Sequence, residues 1–531
     1  MIAKDLILLE ETIPNYIDEK YLQHSIKDGK IISLPLLDIH SDKEGYLKYF
    51  NNCWLLTEAL FVSLKYKESF YKTPYHQLRH PLIFYYGHVA SLYVNKMLLA
   101  GLIDKPLNKE FEKILEIGVD EMTWDVDIKN NKIEWPDLEE IKLYRQKVYE
   151  LVTKFINENA NLFGKQVSQK SPLWALLMSF EHERIHLETS SVLIREMEVT
   201  DLRIPKLFLA INHQQNSQST IDYPKNEFVK IAAKKVSIGK QDQSTYGWDN
   251  EYGSKEIEVE SFLVSKFLIS NGEFFEFVKN DGYHLDKYWC KKGLAWRKFR
   301  NTYHPTFWVP NGPKGSNLFK LRICFEIIEM RWDYPAIVNH YEAQAFCRYK
   351  SELENKNYHL PFEAQHNALH DFQSDPIKST STKNFNFNLQ NLSENSVDAN
   401  QQGTQGLYDI HGNVWQWLED NFYPLKGFEI HKYYPDFSTP CFDDKHKMIA
   451  SSSFFSTGNL ASIYSRYHFR PHFFQHCGFR IIKAEGSYFK KNIEIKFTTE
   501  NPNDGKKYVI FTEDGELKIL DKEGFETLLW V

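Results

Sequence analysis

The sequence lacks long apolar runs, paired cysteines and blocks of one charge. Its 531 residues include no run of about 18 apolar residues, the length that a membrane-spanning helix requires. Its first residues, MIAKDLILLEETIPNY, place acidic residues directly after a very short apolar run, which is not the pattern expected of a secretory signal. These absences predict a soluble cytoplasmic protein with no membrane partner.

The six cysteines occur singly, without a C-x-x-C pair, which favours a reducing compartment over a disulfide framework. The 64 basic and 71 acidic residues give a net charge of −7 without a basic block, so no nucleic-acid partner is expected. Aromatic residues, at 15%, are abundant. With 42% hydrophobic residues, the composition is that of a soluble globular chain.

Two contrasting patterns divide the chain. From about Tyr46 to Met197, apolar residues recur three and four apart with few glycines, which predicts a helix bundle. Short segments, frequent Gly, Asn and Trp, and long irregular connections follow. The predicted organisation is a bundle over residues 1–210, a polar linker over 211–226, a loop-rich domain over 227–485 and a C-terminal extension over 486–531. Alternating apolar residues around Asp514-Gly515 predict a hairpin in that extension.

The strongest local motif is HERIH, His182–His186, which spells H-E-x-x-H. Residues four apart lie on one helical face, so both imidazoles can bind one zinc, iron, copper or nickel ion. The string also occurs in zinc proteases, which need a third ligand downstream. No Gly or His follows at the required positions, and Glu188 and Glu196 lie on the same helix, which argues against a protease. The remaining alternative is that both histidines are polar residues of a helix surface or interior residues with satisfied hydrogen bonds.

Another histidine stands upstream, in YYGHVASLYVNK. Pro81 can begin a helix, which places His88 two turns into it. A bundle can bring this helix beside the one with His182 and His186, and three histidines with open coordination positions favour an iron that binds dioxygen or substrate. Alternatively, His88 is a buried, hydrogen-bonded residue without a metal.

Four segments of the second half resemble the formylglycine-generating, or sulfatase-modifying, domain: GLYDIHGNVWQWLED, HCGFRI, YGWDNEYGSKEIEVESFLVSKFLISNGEFFEFV and AQAFCRYK…LPFEA. The resemblance runs from about Phe228 to Lys483 and implies a loop-rich, C-type-lectin-like fold. It departs at ASSSF, Ala450–Phe454, where relatives carry R-G-G-S-W. Tyr464 and Phe469 stand where formylglycine-generating enzymes have copper-binding cysteines, so copper chemistry lacks its ligands.

A DinB-like helix bundle followed by this domain is similar to the iron-dependent sulfoxide synthases of thiol-histidine biosynthesis, which implies an α+β chain of two domains. FEHERIHLETSSVLIRE resembles the form found in the 5-histidylcysteine sulfoxide synthases of ovothiol biosynthesis. YYGHVASLYVNK resembles the family's first ligand helix. The match covers about Leu47 to Lys483 and implies that His88, His182 and His186 bind the iron.

The implied reaction uses Fe(II) and O2 to join the sulfur of cysteine to the imidazole of histidine and to oxidise it, giving 5-histidylcysteine sulfoxide. Arg466, His468 and Arg470, in SRYHFRPH, match a substrate-facing stretch of relatives. The alternative for each arginine is that it braces the fold, as is expected of Arg480. The resemblance further implies a tyrosine beside the iron that acts as proton donor or redox partner.

Three tyrosines follow the tryptophans of the GNVWQW motif: Tyr423, Tyr433 and Tyr434. Of these, Tyr423 is the predicted catalytic residue, and a packing role is the alternative. The 51 residues after Arg480, from 481 to 531, contain no glycine-rich strand-to-helix turn, so a methyltransferase domain is not expected. A separate methyltransferase is then expected to act on the downstream product.

Other functions remain open on the sequence. Ergothioneine-type synthesis would use trimethylhistidine in place of histidine, with cysteine or a glutamyl-cysteine as the thiol. A non-catalytic, lectin-like binding protein would not need the three histidines together. A metalloprotease ranks last, because no third zinc ligand follows the motif.

Overall fold

The computed structural model describes residues 7–11, 13–74, 79–116, 133–208, 221–370, 375–378 and 384–484, together with the backbone of three strands near the C-terminus. The predicted linker over 211–226 falls outside the described residues up to position 220. Residues 221–226 have no regular secondary structure.

The first domain is built mainly from helices. They are α1 (Glu19–Ser25), α2 (Lys43–Phe61), α3 (Leu82–Leu99), α4 (Lys109–Ile114), α5 (Leu138–Glu158) and α6 (Trp174–Glu196), with one short ribbon of β1 (Ile26–Lys27) and β2 (Lys30–Ile31). Asp42 caps α2 by accepting from the Gly45 amide at 2.9 Å, and Pro81 is the N-cap of α3, next to the predicted first-turn position. The apolar faces of α2, α3, α5 and α6 form one core.

Helix α6 differs from an ordinary surface helix because it is buried around its whole circumference. Of its residues, only Ile185 and Glu196 are not buried. Such a helix lies inside a protein rather than on its surface. One side of α6 packs in the bundle, and another side contacts the second domain, so the segment with two of the three histidines lies between the two domains.

The second domain consists of short strands and helices joined by long loops. Its helices are α7 (Asn271–Lys279), α8 (Lys291–Arg300), α9 (His340–Glu354) and α10 (Glu363–Leu369). Its strands are β3 (Phe228–Ile231), β4 (Lys234–Ile238), β5 (Lys255–Val259), β6 (Phe262–Ser265), β7 (Trp308–Pro310), β8 (Phe319–Arg322), β9 (Ile327–Glu329), β10 (Asn357–His359), β11 (Gln401–Gln402), β12 (Leu407–Tyr408), β13 (Trp415–Asn421), β14 (Lys447–Ala450), β15 (Tyr467–Phe469), β16 (Cys477–Gly478) and β17 (Ile482–Ala484).

Eight of these strands form two four-stranded sheets, in the orders β10-β17-β6-β3 and β15-β14-β13-β16, and the other seven form smaller sheets. In the second sheet, β13 pairs in parallel with β16, with Trp415 opposite Cys477, so the GNVWQW and HCGFR motifs lie side by side. Arg480 braces the fold as expected, since it donates to Gln416 at 2.6 Å and to the carbonyls of Ser265 and Tyr408. The predicted two-domain α+β organisation is confirmed.

Near the C-terminus, β19 (Tyr508–Phe511) pairs antiparallel with β20 (Leu517–Leu520), and β18 (Lys496–Phe497) pairs with β19. All six cysteines lie in the described residues and are free thiols. Within the described part of the chain, no helix combines the length and the apolar character needed to cross a membrane.

Candidate functional site

Three histidines converge where α3 meets α6. His88 comes from α3 and His182 and His186 come from consecutive turns of α6, and one ligand atom of each lies within 4.8 Å of the others. The Nε2 atoms of His182 and His186 are 3.1 Å apart. The i, i+4 spacing produces this pair, and the packing of α3 on α6 adds the third imidazole.

The orientation of the His88 ring is fixed by contacts on the side away from the other two histidines. Its Nδ1 lies 2.5 Å from the carbonyl oxygen of Leu115, so Nδ1 is the protonated nitrogen and Nε2 has a free lone pair. The ring of Phe84 stacks on the imidazole with centroids 4.9 Å apart. Among the described residues, Nε2 of His88 has no hydrogen-bond partner. A buried imidazole nitrogen with a free lone pair, next to two other imidazoles, is suited to bind a metal ion.

Burial keeps all three imidazoles neutral. It lowers the pKa of His88 to about 4, and it lowers the pKa values of His182 and His186 well below the usual 6.5, with the neighbouring histidines adding to the effect. Neutral imidazole is the form that binds metal ions. Two nitrogens at right angles around a metal with bonds of about 2.1 Å would be about 3.0 Å apart, which agrees with the spacing of the α6 pair. The three residues therefore fit a transition-metal ion with open positions.

Glu183, the glutamate of the H-E-x-x-H string, forms its hydrogen bonds within the bundle core. Its two carboxylate oxygens accept hydrogen bonds from Thr57 at 2.8 Å and Tyr93 at 2.7 Å, and Arg145 lies 3.9 Å away. Burial raises the pKa of this carboxyl group. A protease base would instead face the metal-bound water, so this arrangement agrees with the sequence argument against a protease.

Tyr434 is the tyrosine of the loop between β13 and β14 that lies beside the histidines. Its ring centroid is 6.1 Å from that of His182, and the Lys96 ammonium group lies over the ring at 3.7 Å. Burial raises the pKa of Tyr434, and burial lowers the pKa of Lys96. Phe437 stacks on Trp248 at 3.9 Å and anchors this part of the loop. The tyrosine is therefore protonated at neutral pH and next to the candidate metal position.

The structure brings Tyr423, the predicted catalytic tyrosine, to a different cluster. Its hydroxyl donates to Glu363 at 2.5 Å and accepts from Lys255 at 2.9 Å. Arg466, a predicted substrate-binding residue, grips the same Glu363 carboxylate at 2.7 and 3.2 Å and donates to the carbonyl of Asn250. Both side chains are thus used in bracing the second domain, and neither contacts the three histidines. A loop of irregular course separates Tyr423 from Tyr434, and sequence alone could not indicate which one faces the bundle.

The other two predicted substrate-binding residues also lie apart from Arg466. His468 stacks on Phe422 with centroids 4.0 Å apart and faces His446. Arg470 lies near Asp443. Burial acts to raise the pKa of Asp443, but the hydrogen bond from His446 and the charge of Arg470 help to bring it below its usual value overall. The strand β15 spans only Tyr467–Phe469, so the alternation that would align positions 466, 468 and 470 does not extend over all three.

Sequence reasoning did not single out Arg79, which lies near His186 of the three-histidine cluster. Its guanidinium is 4.8 Å from the ring of Phe473, and its charge contributes to the lowered pKa of His186, after burial and His88. Arg79, Thr189 and Phe473 line one groove at the junction of the domains. Within the described part of the chain, one guanidinium nitrogen of Arg79, Nη2, is buried without a hydrogen-bond partner. A positive group at this place can accept a carboxylate.

Glu188 joins α6 to the second domain. It accepts hydrogen bonds from Trp415 Nε1 at 2.8 Å, Ser453 at 2.5 Å and Ser456 at 2.6 Å, and all four side chains are buried. Ser453 is the fourth residue of the ASSSF segment, the position at which the R-G-G-S-W of relatives also has serine. About two turns further along α6, Arg195 pairs with Glu394 at 2.7 Å.

Comparison with known families agrees with this architecture. The model of the sulfatase-modifying factor enzyme 1-like domain matches residues 214–485, which is more than half of the 531-residue chain, and the DinB superfamily model matches residues 49–190. The chain belongs to the family of the sulfatase-modifying factor enzyme 1-like domain, here preceded by a DinB-like bundle. The predicted pairing of these two domains is confirmed.

Among characterised relatives, the chain is similar to ergothioneine biosynthesis protein 1 of Schizosaccharomyces pombe, with 22% identity over 465 residues that cover 76% of this chain and 51% of that protein. The protein of the same name from Neurospora crassa is 21% identical over 472 residues, covering 72% and 51%. Hercynine oxygenase of Mycobacterium tuberculosis is 24% identical over 217 residues, covering 39% and 48%. The chain spans about half the length of these relatives.

Proposed function

We propose that this protein is an iron- and O2-dependent enzyme that forms a carbon–sulfur bond between a thiol and the imidazole of a histidine derivative and yields a sulfoxide. The observation that supports this most directly is the set of three buried, neutral histidines with Tyr434 beside them. Iron, when bound by His88, His182 and His186, would supply the O2 chemistry and a position for a thiolate.

The substrate choice rests on two observations that favour different histidine derivatives. The relatives named for ergothioneine biosynthesis and for hercynine oxygenation favour trimethylhistidine, which is hercynine, as the imidazole substrate. The form of the α6 motif favours unmethylated histidine with cysteine, and therefore 5-histidylcysteine sulfoxide as the product. We take trimethylhistidine as the first candidate, because that similarity extends over both domains.

The residues around the histidines have separate tasks in this proposal. Arg79 binds the carboxylate of a substrate at the groove, since it is a buried cation with an unused donor among the described residues. Tyr434 donates or withholds a proton at the reacting atoms, because its raised pKa keeps the hydroxyl protonated until a base is produced. Lys96, packed on the Tyr434 ring, supplies a positive charge that favours the deprotonated tyrosine.

The deciding experiment is an anaerobic reconstitution with Fe(II), followed by cysteine or γ-glutamylcysteine together with either trimethylhistidine or histidine, and then air. Mass spectrometry of the products is expected to detect a cross-linked sulfoxide that forms only with iron. Product from trimethylhistidine supports the first candidate, and product only from histidine supports the second. The absence of an adduct from every pair, with iron bound stoichiometrically, would refute the proposed reaction.

A further inference from the structure

A second group of metal-binding side chains lies in the other domain. The thiol of Cys441 and the imidazoles of His446 and His468 each offer one ligand atom, and these three atoms lie within 4.8 Å of one another. His446 is buried, and Cys441 and His468 are half-buried. All three belong to the sulfatase-modifying domain, so the group is separate from the histidines of α3 and α6.

Different backbone elements bring the three residues together. Cys441 ends the short 3-10 turn Thr439–Cys441, His446 directly precedes β14, and His468 is the central residue of β15. The pairing of β14 with β15 sets Met448 opposite His468, which fixes the position of His468 relative to His446. The two imidazole rings are 5.2 Å apart and nearly perpendicular, at 89°.

Both histidines are already oriented. Nδ1 of His446 lies 2.8 Å from a carboxylate oxygen of Asp443, which leaves Nε2 as the atom that can bind a metal. Carboxylates in this position hold the imidazole of many zinc-bound histidines in one tautomer. The plane of His468 is set by stacking on Phe422, with 26° between the rings. The geometry therefore contains two oriented imidazoles and one thiol that converge.

The donor set selects the type of ion. One thiolate and two imidazoles suit Zn²⁺, whereas Mg²⁺ and Ca²⁺ prefer oxygen ligands. In a tetrahedral zinc site, a thiolate sulfur and an imidazole nitrogen lie about 3.5 Å apart, so atoms within 4.8 Å of one another reach that geometry by shifts of about 1 Å. The fourth position is accessible to water, because Cys441 and His468 are only half-buried.

We infer that Cys441, His446 and His468 bind a zinc ion that fastens the loop between β13 and β14 to strand β15. The loop leaves β13 after Asn421, carries Tyr434 to His182 and returns through Cys441 and His446 to β14. The ion would link the part of the loop that returns to β14 to the neighbouring strand β15. The inference does not depend on the reaction that the three-histidine site performs.

The experiment uses the full chain with His88→Ala and His186→Ala, which leaves one histidine at the first site. After chelator treatment, this protein is incubated with Zn²⁺ or Co²⁺ alone, and bound metal is measured. We expect one ion per chain, and a thiolate-to-cobalt charge-transfer band with Co²⁺. Cys441→Ser added to this background should lose both, whereas Cys290→Ser, which alters the other half-buried cysteine, should retain both.

Two further measurements keep the test valid if a variant folds poorly. In the unsubstituted protein, Zn²⁺ should slow alkylation of Cys441 and leave alkylation of Cys290 unchanged. Asp443→Asn should weaken zinc binding by about 10–100-fold, as removal of a partner of a metal-bound histidine commonly does. Equal alkylation of Cys441 with and without zinc, a cobalt spectrum without the thiolate band, or a band that persists in Cys441→Ser would overturn the inference.

Discussion

The hydroxyl of Tyr93, on α3, donates to the Glu183 carboxylate, on α6, at 2.7 Å. This bond links the two helices that provide the three histidines, and it occurs on the side of α6 that faces the bundle core. The glutamate of the H-E-x-x-H string therefore helps to set the distance between the two histidine-bearing helices, and a catalytic base is not needed to explain its presence.

Glu183→Gln is expected to lower the free energy of unfolding by about 1–3 kcal/mol, because two buried hydroxyl donors lose a charged acceptor. Iron binding and product formation should be largely retained. Chemical denaturation and iron analysis of the same preparation check both statements. Complete loss of activity in a protein that keeps its iron would contradict this positional role.

His186→Ala is expected to abolish both iron binding and product formation, because two imidazoles on different helices would remain for the metal. His284→Ala is the matched control, since this histidine is exposed and stacks only on Tyr303 among the described ring contacts. Iron analysis of both variants gives the comparison. A full equivalent of iron in His186→Ala would show that the ion is bound elsewhere.

Tyr434→Phe is expected to slow product formation by about 10²–10⁴-fold at unchanged iron content, which is the usual effect of removing a proton-transferring group. Tyr423→Phe should leave the rate nearly unchanged and lower the free energy of unfolding by about 1 kcal/mol, because it loses the hydrogen bond to Glu363. Steady-state rates and denaturation curves of the pair separate the two tyrosines. The reverse pattern would return the catalytic role to Tyr423.

Glu251 is expected to make the protein less stable as the pH rises. Burial raises the pKa of its carboxyl group to about 8 from 4.5, against the opposing effect of Lys240. Between these pH values the folded state binds more protons than the unfolded state, so the free energy of unfolding falls with pH by up to about 1.4 kcal/mol per unit.

Glu251→Gln removes this titration and should flatten the decrease between pH 4.5 and 8. The amide oxygen can still accept the hydrogen bond from the Trp248 backbone, whereas the weaker bond from Asn459, at 3.3 Å, is lost because an NH2 group replaces its acceptor. Urea denaturation of both proteins at intervals of one pH unit measures the slope. Parallel stability curves for the two proteins would mean that Glu251 is ionised in the folded state.

The sequence predicts that His88, His182 and His186 lie together, and the structure brings them together, because the signal for their positions is local. The spacing of His182 and His186 determines that they share a helical face, and His88 follows a proline that precedes a regular helix. The periodicity of apolar residues likewise predicts the division into a helical domain and a loop-rich domain. These features depend on neighbours within a few turns.

The remaining site residues depend on contacts between distant segments. Tyr423 and Tyr434 belong to one irregular loop. The hydrogen bond to Glu363 holds Tyr423 in place, whereas the packing of Phe437 on Trp248 positions Tyr434. Arg466 was a plausible carboxylate ligand by residue type, but Glu363, more than a hundred positions earlier, already occupies it. No pattern along the chain encodes such pairs.

The three hydrogen bonds that Glu188 accepts restrict how the sequences of the two domains can diverge. A carboxylate buried on α6 needs the donors that Ser453, Ser456 and Trp415 provide, and those serines in turn need an acceptor. A chimera that joins this bundle to a domain without side-chain donors at positions 453 and 456 would bury the Glu188 carboxylate without two of its three partners. The two modules can therefore be recombined only if position 188 and the serine segment are exchanged together.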